Sequence, residues 1–179
     1  MKEKITNIVK VALFVALCSV CAMVTIPFGP VPFTLQTFAF TLVLFCLEPN
    51  LAFSTTLLYL AVGALGAPVF SGMKGGIGSV IGPTGGFLIG YALSIFPLGK
   101  LKELVCLKVK KQTVKSVLLV IIGFAMTLVA YAFGCLQYSF VAGVGIEVAF
   151  FVAVVPFVMV DFIKIVLAYF SSRIVNRLL

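Results

Sequence analysis

Six apolar stretches almost free of charge run through this 179-residue chain, and its basic residues collect between them on alternate sides. That alternation restricts the fold more than any other feature. A stretch of about 20 apolar residues can cross the ~30 Å hydrocarbon core of a bilayer, and as a helix it satisfies its own backbone hydrogen bonds there. The stretches are residues 9–26, 35–47, 51–70, 86–98, 117–136 and 148–170, with the second and fourth short for a span. Lys2 and Lys4 precede the first and Lys10 lies at its very start; Lys100, Lys102, Lys108, Lys110, Lys111 and Lys115 fall between the fourth and fifth; Arg173 and Arg177 follow the last. Eleven of the twelve loop or terminal bases thus lie on one side, and only Lys74 lies in a connection of the opposite parity. Cytoplasmic segments next to spans carry the Lys and Arg excess. The pattern predicts an all-α integral membrane protein, a bundle of six transmembrane helices with both termini cytoplasmic and residues 100–115 as a long cytoplasmic loop.

Composition agrees. Hydrophobic residues make up 63% of the chain and charged residues 10%, against about 25% charged in soluble domains. The net charge of +8 would suggest nucleic acid in a soluble protein, but here nearly all of it lies where topology alone places it, so no nucleic-acid partner is expected. The length suits one membrane domain over residues 1–179. Glu48-Pro49-Asn50 reads as a tight turn making a hairpin of the second and third spans, and Pro27, Pro30 and Pro32 break the chain between the first and second. No A-x-A cleavage pattern follows the first apolar stretch, which therefore reads as a retained span.

Several chemistries are disfavoured. Cys18 and Cys21 form a C-x-x-C, but inside a span this spacing places them one turn apart; with no His in the chain, packing is the better reading and no metal or other cofactor is expected. The one Gly-Lys pair, Gly99-Lys100, lacks the rest of a phosphate-binding loop, so any energy for transport comes from elsewhere. An intramembrane enzyme needs a nucleophile with a base, or paired carboxylates. This chain offers one intraspan acid.

Three constellations rise above the background of apolar sequence, the third of them also open to reading as a purely structural ion pair. Residues 30–37, Pro-Val-Pro-Phe-Thr-Leu-Gln-Thr, lie between the first two spans, and a glycine-rich stretch over residues 72–86 ends in Gly-Pro-Thr-Gly-Gly. Glycine permits close approach of backbone to a ligand, although a flexible loop and close helix packing account for such a run equally well. The third is Asp161 with Lys164, both within the last span. Residues three apart share a helical face, and ionisable groups at membrane depth cost about 2.5–3.5 kcal/mol each on insertion scales, so by default they mark function. Pro156, one turn earlier, is expected to loosen the helix before them.

Taken in order, Pro-Val-Pro-Phe-Thr-Leu-Gln-Thr at 30–37, Gly-Pro-Thr-Gly-Gly at 82–86 and Asp-Phe-Ile-Lys at 161–164 resemble the BioY family, the biotin-binding membrane components of energy-coupling-factor (ECF) transporters. The resemblance covers essentially the whole chain. It implies a six-helix bundle that takes biotin from the outer side, under the first external loop and the loop between spans three and four. It also implies docking onto a transmembrane scaffold with two cytoplasmic ATPases. Family members usually carry Tyr directly after the paired glycines and an aromatic residue four positions on; here the order is Phe87 then Tyr91.

Biotin offers ureido N–H donors, an apolar ring body and a carboxylate tail. Asp161 is suited to accept from the ureido N–H groups by charge-assisted bonds, and Lys164 either keeps Asp161 ionised or binds a ligand oxygen. Thr34 and Gln36 are expected to add polar contacts, Phe33, Phe87 and Tyr91 to wall the ring, and Gly85 and Gly86 to let backbone approach it. Ala12 and Ala16 form a small-xxx-small face on span one, suited to close contact with a partner helix or to packing within the bundle. A binding component for a related small vitamin, and a self-assembling channel-like protein, are the alternatives to a biotin-uptake component.

Overall fold

The computed structural model describes residues 2–27 and 29–177. Among them, eight helices and one two-stranded ribbon follow in the order α1 (Lys2–Met23), β1 (Thr25–Ile26), β2 (Phe33–Thr34), α2 (Gln36–Cys46), α3 (Pro49–Ala64), α4 (Ile77–Ile81), α5 (Gly85–Lys108), α6 (Gln112–Ala142), α7 (Ile146–Ala153) and α8 (Val155–Val175). By length and apolarity alone, α1, α6 and α8 are each able to cross a membrane.

Helix α2 sits in the middle. It touches α1, α3, α5, α6 and α8, and eight of its eleven residues are buried, seven of them in an unbroken run from Ala39 to Phe45. A helix apolar all round belongs inside a bundle rather than at its surface. The next connection is a tight hairpin. Leu47 caps α2, Glu48 caps α3, and Pro49 opens α3 at a position where its missing N–H costs nothing. At that end of the bundle the Lys102 ammonium donates to the Leu47 carbonyl at 2.6 Å, and the Asn176 amide reaches the Phe45 carbonyl at 3.4 Å.

The α5–α6 contact is made close by glycine. A Cβ on Gly90 would lie 2.5 Å from the Cα of Ala130, and one on Gly86 would lie 2.3 Å from the Phe133 carbonyl oxygen. Small residues let helix backbones approach within membranes. Here they remove any room for a side chain.

Two expectations are corrected. The segment from Lys100 to Lys115 is not a long loop: α5 continues through Pro97 to Lys108, and only residues 109–111 separate it from α6. Basic side chains are compatible with a helix C-terminus, where they complement its dipole. The last apolar stretch is not one helix, because it breaks at Val154 (φ −125°, ψ −59°) between α7 and α8. The break falls just ahead of Pro156, which lacks the N–H needed to continue α7 and sits in the first turn of α8, so the helix is interrupted before Asp161 and Lys164, as expected.

Candidate functional site

The end of the bundle opposite the α2–α3 hairpin is closed by two chain segments. One is residues 24–27 and 29–35, which carry the β1–β2 ribbon with Thr25 opposite Thr34 and Ile26 opposite Phe33. The other is residues 65–84, which contain α4. Helix α6 ties down the second segment: the Gln137 side-chain amide donates to the carbonyls of Val80 (2.8 Å) and Gly82 (2.7 Å).

Beneath these segments lies a cavity with about 500 Å³ of empty space, part of it continuous with solvent. Asp161 and Lys164 line it, at 4% and 8% exposure, with Lys164 Nζ 2.8 Å from Asp161 Oδ1. The other carboxylate oxygen accepts the Tyr131 hydroxyl of α6 at 2.7 Å. The ammonium also donates to the Thr34 carbonyl at 2.7 Å, so α8 and the ribbon meet at one side chain. A carboxylate offers roughly four lone-pair positions and an ammonium three protons. These contacts take two of the former and two of the latter, leaving both groups able to serve a ligand.

The remaining wall is mixed. Pro32, Thr34, Gln36 and Thr37 come from the ribbon and the start of α2, Phe87 and Tyr91 from α5, and Phe157 from α8. The Gln36 side chain is held on both sides, donating to the Tyr59 hydroxyl at 2.8 Å and accepting the Thr34 hydroxyl at 3.3 Å. Tyr59 in turn donates to the Val69 carbonyl at 2.8 Å. Such polar groups, fixed in place within apolar walls, are the usual makeup of a small-molecule site.

Of the residues expected to form a site, the structure gathers Asp161, Lys164, Thr34, Gln36, Phe87 and Tyr91 around this cavity. Phe33 does not line it; its ring lies 4.4 Å from that of Phe157 and backs the wall. Gly85 and Gly86 do not line it either, and both are buried where a Cβ would strike backbone. Tyr131, Thr37 and Phe157 were missed, being ordinary residues in apolar runs that only tertiary packing brings to the cavity.

The exchanged aromatics both face the cavity. Tyr91 stacks on Phe40 with centroids 4.6 Å apart and donates to Thr37 Oγ1 at 3.0 Å. Phe87 fits against α6 because position 134 is glycine; a Cβ there would lie 2.6 Å from its ring. Tyr91→Phe is expected to weaken ligand binding about two- to tenfold, the worth of one ordinary hydrogen bond, with Phe87→Tyr in that background recovering part of the loss. Equilibrium titration checks this, and unchanged affinity in the single variant would remove the Tyr91 hydroxyl from the site.

A helical bundle with membrane-length spans, closed at one end over a cavity with a buried ion pair, defines a polytopic membrane protein of solute-binding architecture. The fold matches that of a crystal structure of the S-component for biotin from an ECF-type ABC transporter, with a TM-score of 0.86 and 23% identity over 98% of this chain and 93% of that one. The chain belongs to the BioY family, which it matches over residues 1–179, and it is a multi-pass integral protein of the cell membrane. It is 40% identical over 164 residues to the probable biotin transporter BioY of Pyrococcus horikoshii, covering 92% of this chain and 91% of that one. To the biotin transporter BioY of Thermotoga maritima it is 38% identical over 162 residues, covering 90% of each chain.

Proposed function

We propose that the protein is the membrane substrate-binding component for biotin uptake, capturing biotin at the ribbon end of the bundle and delivering it inward with an ECF module. The observation that carries this reading is the Asp161, Lys164 and Tyr131 cluster in the cavity wall. The free lone pairs of Asp161 accept the ureido N–H groups, and the remaining proton of Lys164 serves the ureido oxygen. Phe87, Tyr91 and Phe157 enclose the apolar ring body. No bond of the ligand is made or broken, so the protein acts as a carrier and not as an enzyme. The ribbon end faces outward and both termini face the cytoplasm, in keeping with the charge asymmetry.

The partner reading concerns α1. Its inner face buries Phe14, Cys18, Cys21 and Ala22, while Ala12 and Ala16 are exposed on the outside of the bundle. That small-residue face fits a helix of the ECF transmembrane scaffold, which carries two cytoplasmic ATPases. In equilibrium titration with radiolabelled biotin, the purified protein is expected to bind saturably. The double variant Ala12→Leu, Ala16→Leu should bind equally well yet fail to co-purify with the scaffold or support coupled uptake. Absence of binding in the unaltered protein would defeat the biotin reading; intact co-purification and uptake in the double variant would defeat the docking face.

A further inference from the structure

Of the six bases from Lys100 to Lys115, two are spent inside the protein. Lys100 pairs with Glu103 at 3.3 Å, and Lys102 is buried with its ammonium on the Leu47 carbonyl at 2.6 Å. Lys108, Lys110, Lys111 and Lys115 remain, four within eight residues. None of them makes an ion pair among the described residues, and the chain holds no acid between Glu103 and Glu147. Topology accounts for the side of the membrane on which these bases lie. It does not account for four of them held together without a counter-charge, because like charges this close repel.

Their setting fixes them at the membrane surface. A long loop would carry the charges out into the cytoplasm, but residues 109–111 are the whole of the connection, so the cluster stays at the ends of α5 and α6. Lys115 fastens those ends together, donating to the Cys106 carbonyl at 3.2 Å. The apolar stretch of α6 begins at Val117, six residues after Lys111. Six helical residues rise about 9 Å, and each headgroup layer is about 5–8 Å deep, so lysine side chains reach back to phosphate level. The side chains interleaved with the bases agree: Leu107, Val114 and Val117 are 81%, 44% and 55% exposed, which suits contact with lipid rather than a water-facing turn. The first turn of α6 has no side-chain cap, so its free N–H groups point out of the same end of the helix.

We propose that the α5–α6 turn binds anionic phospholipid of the cytoplasmic leaflet, with Lys108, Lys110, Lys111 and Lys115 holding the headgroups and Leu107, Val114 and Val117 set against the acyl chains. Clusters of about four to eight bases beside a span attract anionic lipid, each base near the surface being worth about fivefold in affinity. The lipid supplies the counter-charge that the protein lacks here, and it anchors this end of the bundle at headgroup depth. The site is remote from the cavity and does not depend on which solute the cavity holds; it uses the orientation given above.

The test titrates the purified protein in neutral detergent with short-chain phosphatidylglycerol, with phosphatidylcholine of the same chain length and with glycerol phosphate, reading the melting temperature. Phosphatidylglycerol is expected to raise it by several degrees and the other two to raise it little, since a ligand stabilises the state that binds it. Lys110→Gln and Lys111→Gln should each shift the half-maximal phosphatidylglycerol concentration upward about fivefold. The quadruple variant Lys108→Gln, Lys110→Gln, Lys111→Gln, Lys115→Gln should lose the preference over phosphatidylcholine, and the corresponding Lys→Arg changes should keep it; the two single variants decide the matter if the quadruple one does not fold. Lys2→Gln, Lys4→Gln, Lys10→Gln removes charge of the same topological side and should leave the response unaltered. An equal loss in that triple variant would reduce the effect to net charge and overturn the proposal, as would equal stabilisation by phosphatidylcholine or glycerol phosphate. If the quadruple variant keeps its preference for phosphatidylglycerol yet no longer co-purifies with the ATPases, the surface belongs to a protein partner and the lipid assignment is wrong.

Discussion

Asp161→Asn is expected to weaken biotin binding tenfold or more. The substitution removes a charge-assisted hydrogen bond worth roughly 1.5–3 kcal/mol, and every 1.4 kcal/mol is tenfold in affinity. It also leaves the Lys164 ammonium buried opposite a neutral amide, still bonded to the Thr34 carbonyl. Lys164→Met should weaken binding as well, since it frees the Asp161 oxygen from its partner and the ribbon from α8. Both variants should still reach the membrane, because a buried ion pair is weak evidence for stability and intramembrane charges are usually kept for function. Equilibrium titration and expression level together decide the matter. Poor expression with normal affinity in the folded fraction would mark the pair as structural.

Gly86→Ala should act in the other direction, costing stability while sparing affinity. Its new Cβ would lie 2.3 Å from the Phe133 carbonyl oxygen and 2.8 Å from the Gln137 Cβ. Backbone cannot yield as a side-chain tip can, so α5 and α6 must separate. Overpacking of this kind costs about 1–3 kcal/mol, which for a chain of this size lowers the melting temperature by several degrees. Thermal unfolding in detergent measures the shift, alongside biotin affinity per mole of folded protein. An unchanged melting temperature with weakened binding would return Gly86 to the ligand site.

The contrast between these two positions shows what a single sequence discloses. Asp161 and Lys164 were legible because charge inside an apolar run is conspicuous and the i, i+3 spacing settles that they meet, whatever the rest of the fold does. Gly86 was legible as special, but glycine permits approach of a ligand and approach of a helix equally, and only the position of Phe133 separates the two. Tyr131 carried no signal of its own. It is an aromatic residue in an apolar run, and its bond to Asp161 depends on how α6 lies against α8. The extent of α5 was hidden for a related reason: Lys100, Lys102 and Lys108 read equally well as a cytoplasmic loop or as a helix end, and Lys102 is drawn into the bundle by the Leu47 carbonyl.

The brevity of α2 has a geometric consequence. Eleven residues rise about 16 Å, little more than half of the ~30 Å hydrocarbon core, whereas the 24 and 31 residues of α5 and α6 rise about 36 and 46 Å. A helix this short at the rim of the bundle would dent the bilayer, but α2 is enclosed by five other helices and meets no lipid along its buried length. The deficit therefore appears inside the protein as a well whose floor includes the first residues of α2, Gln36 and Thr37. Pocket depth is set by where α2 begins: one more turn at its N-terminus would raise the floor by about 5 Å, and one fewer would lower it, with the lipid-facing surface untouched either way. An architecture of this kind can be refitted to longer or shorter solutes from within, by the length of one central helix.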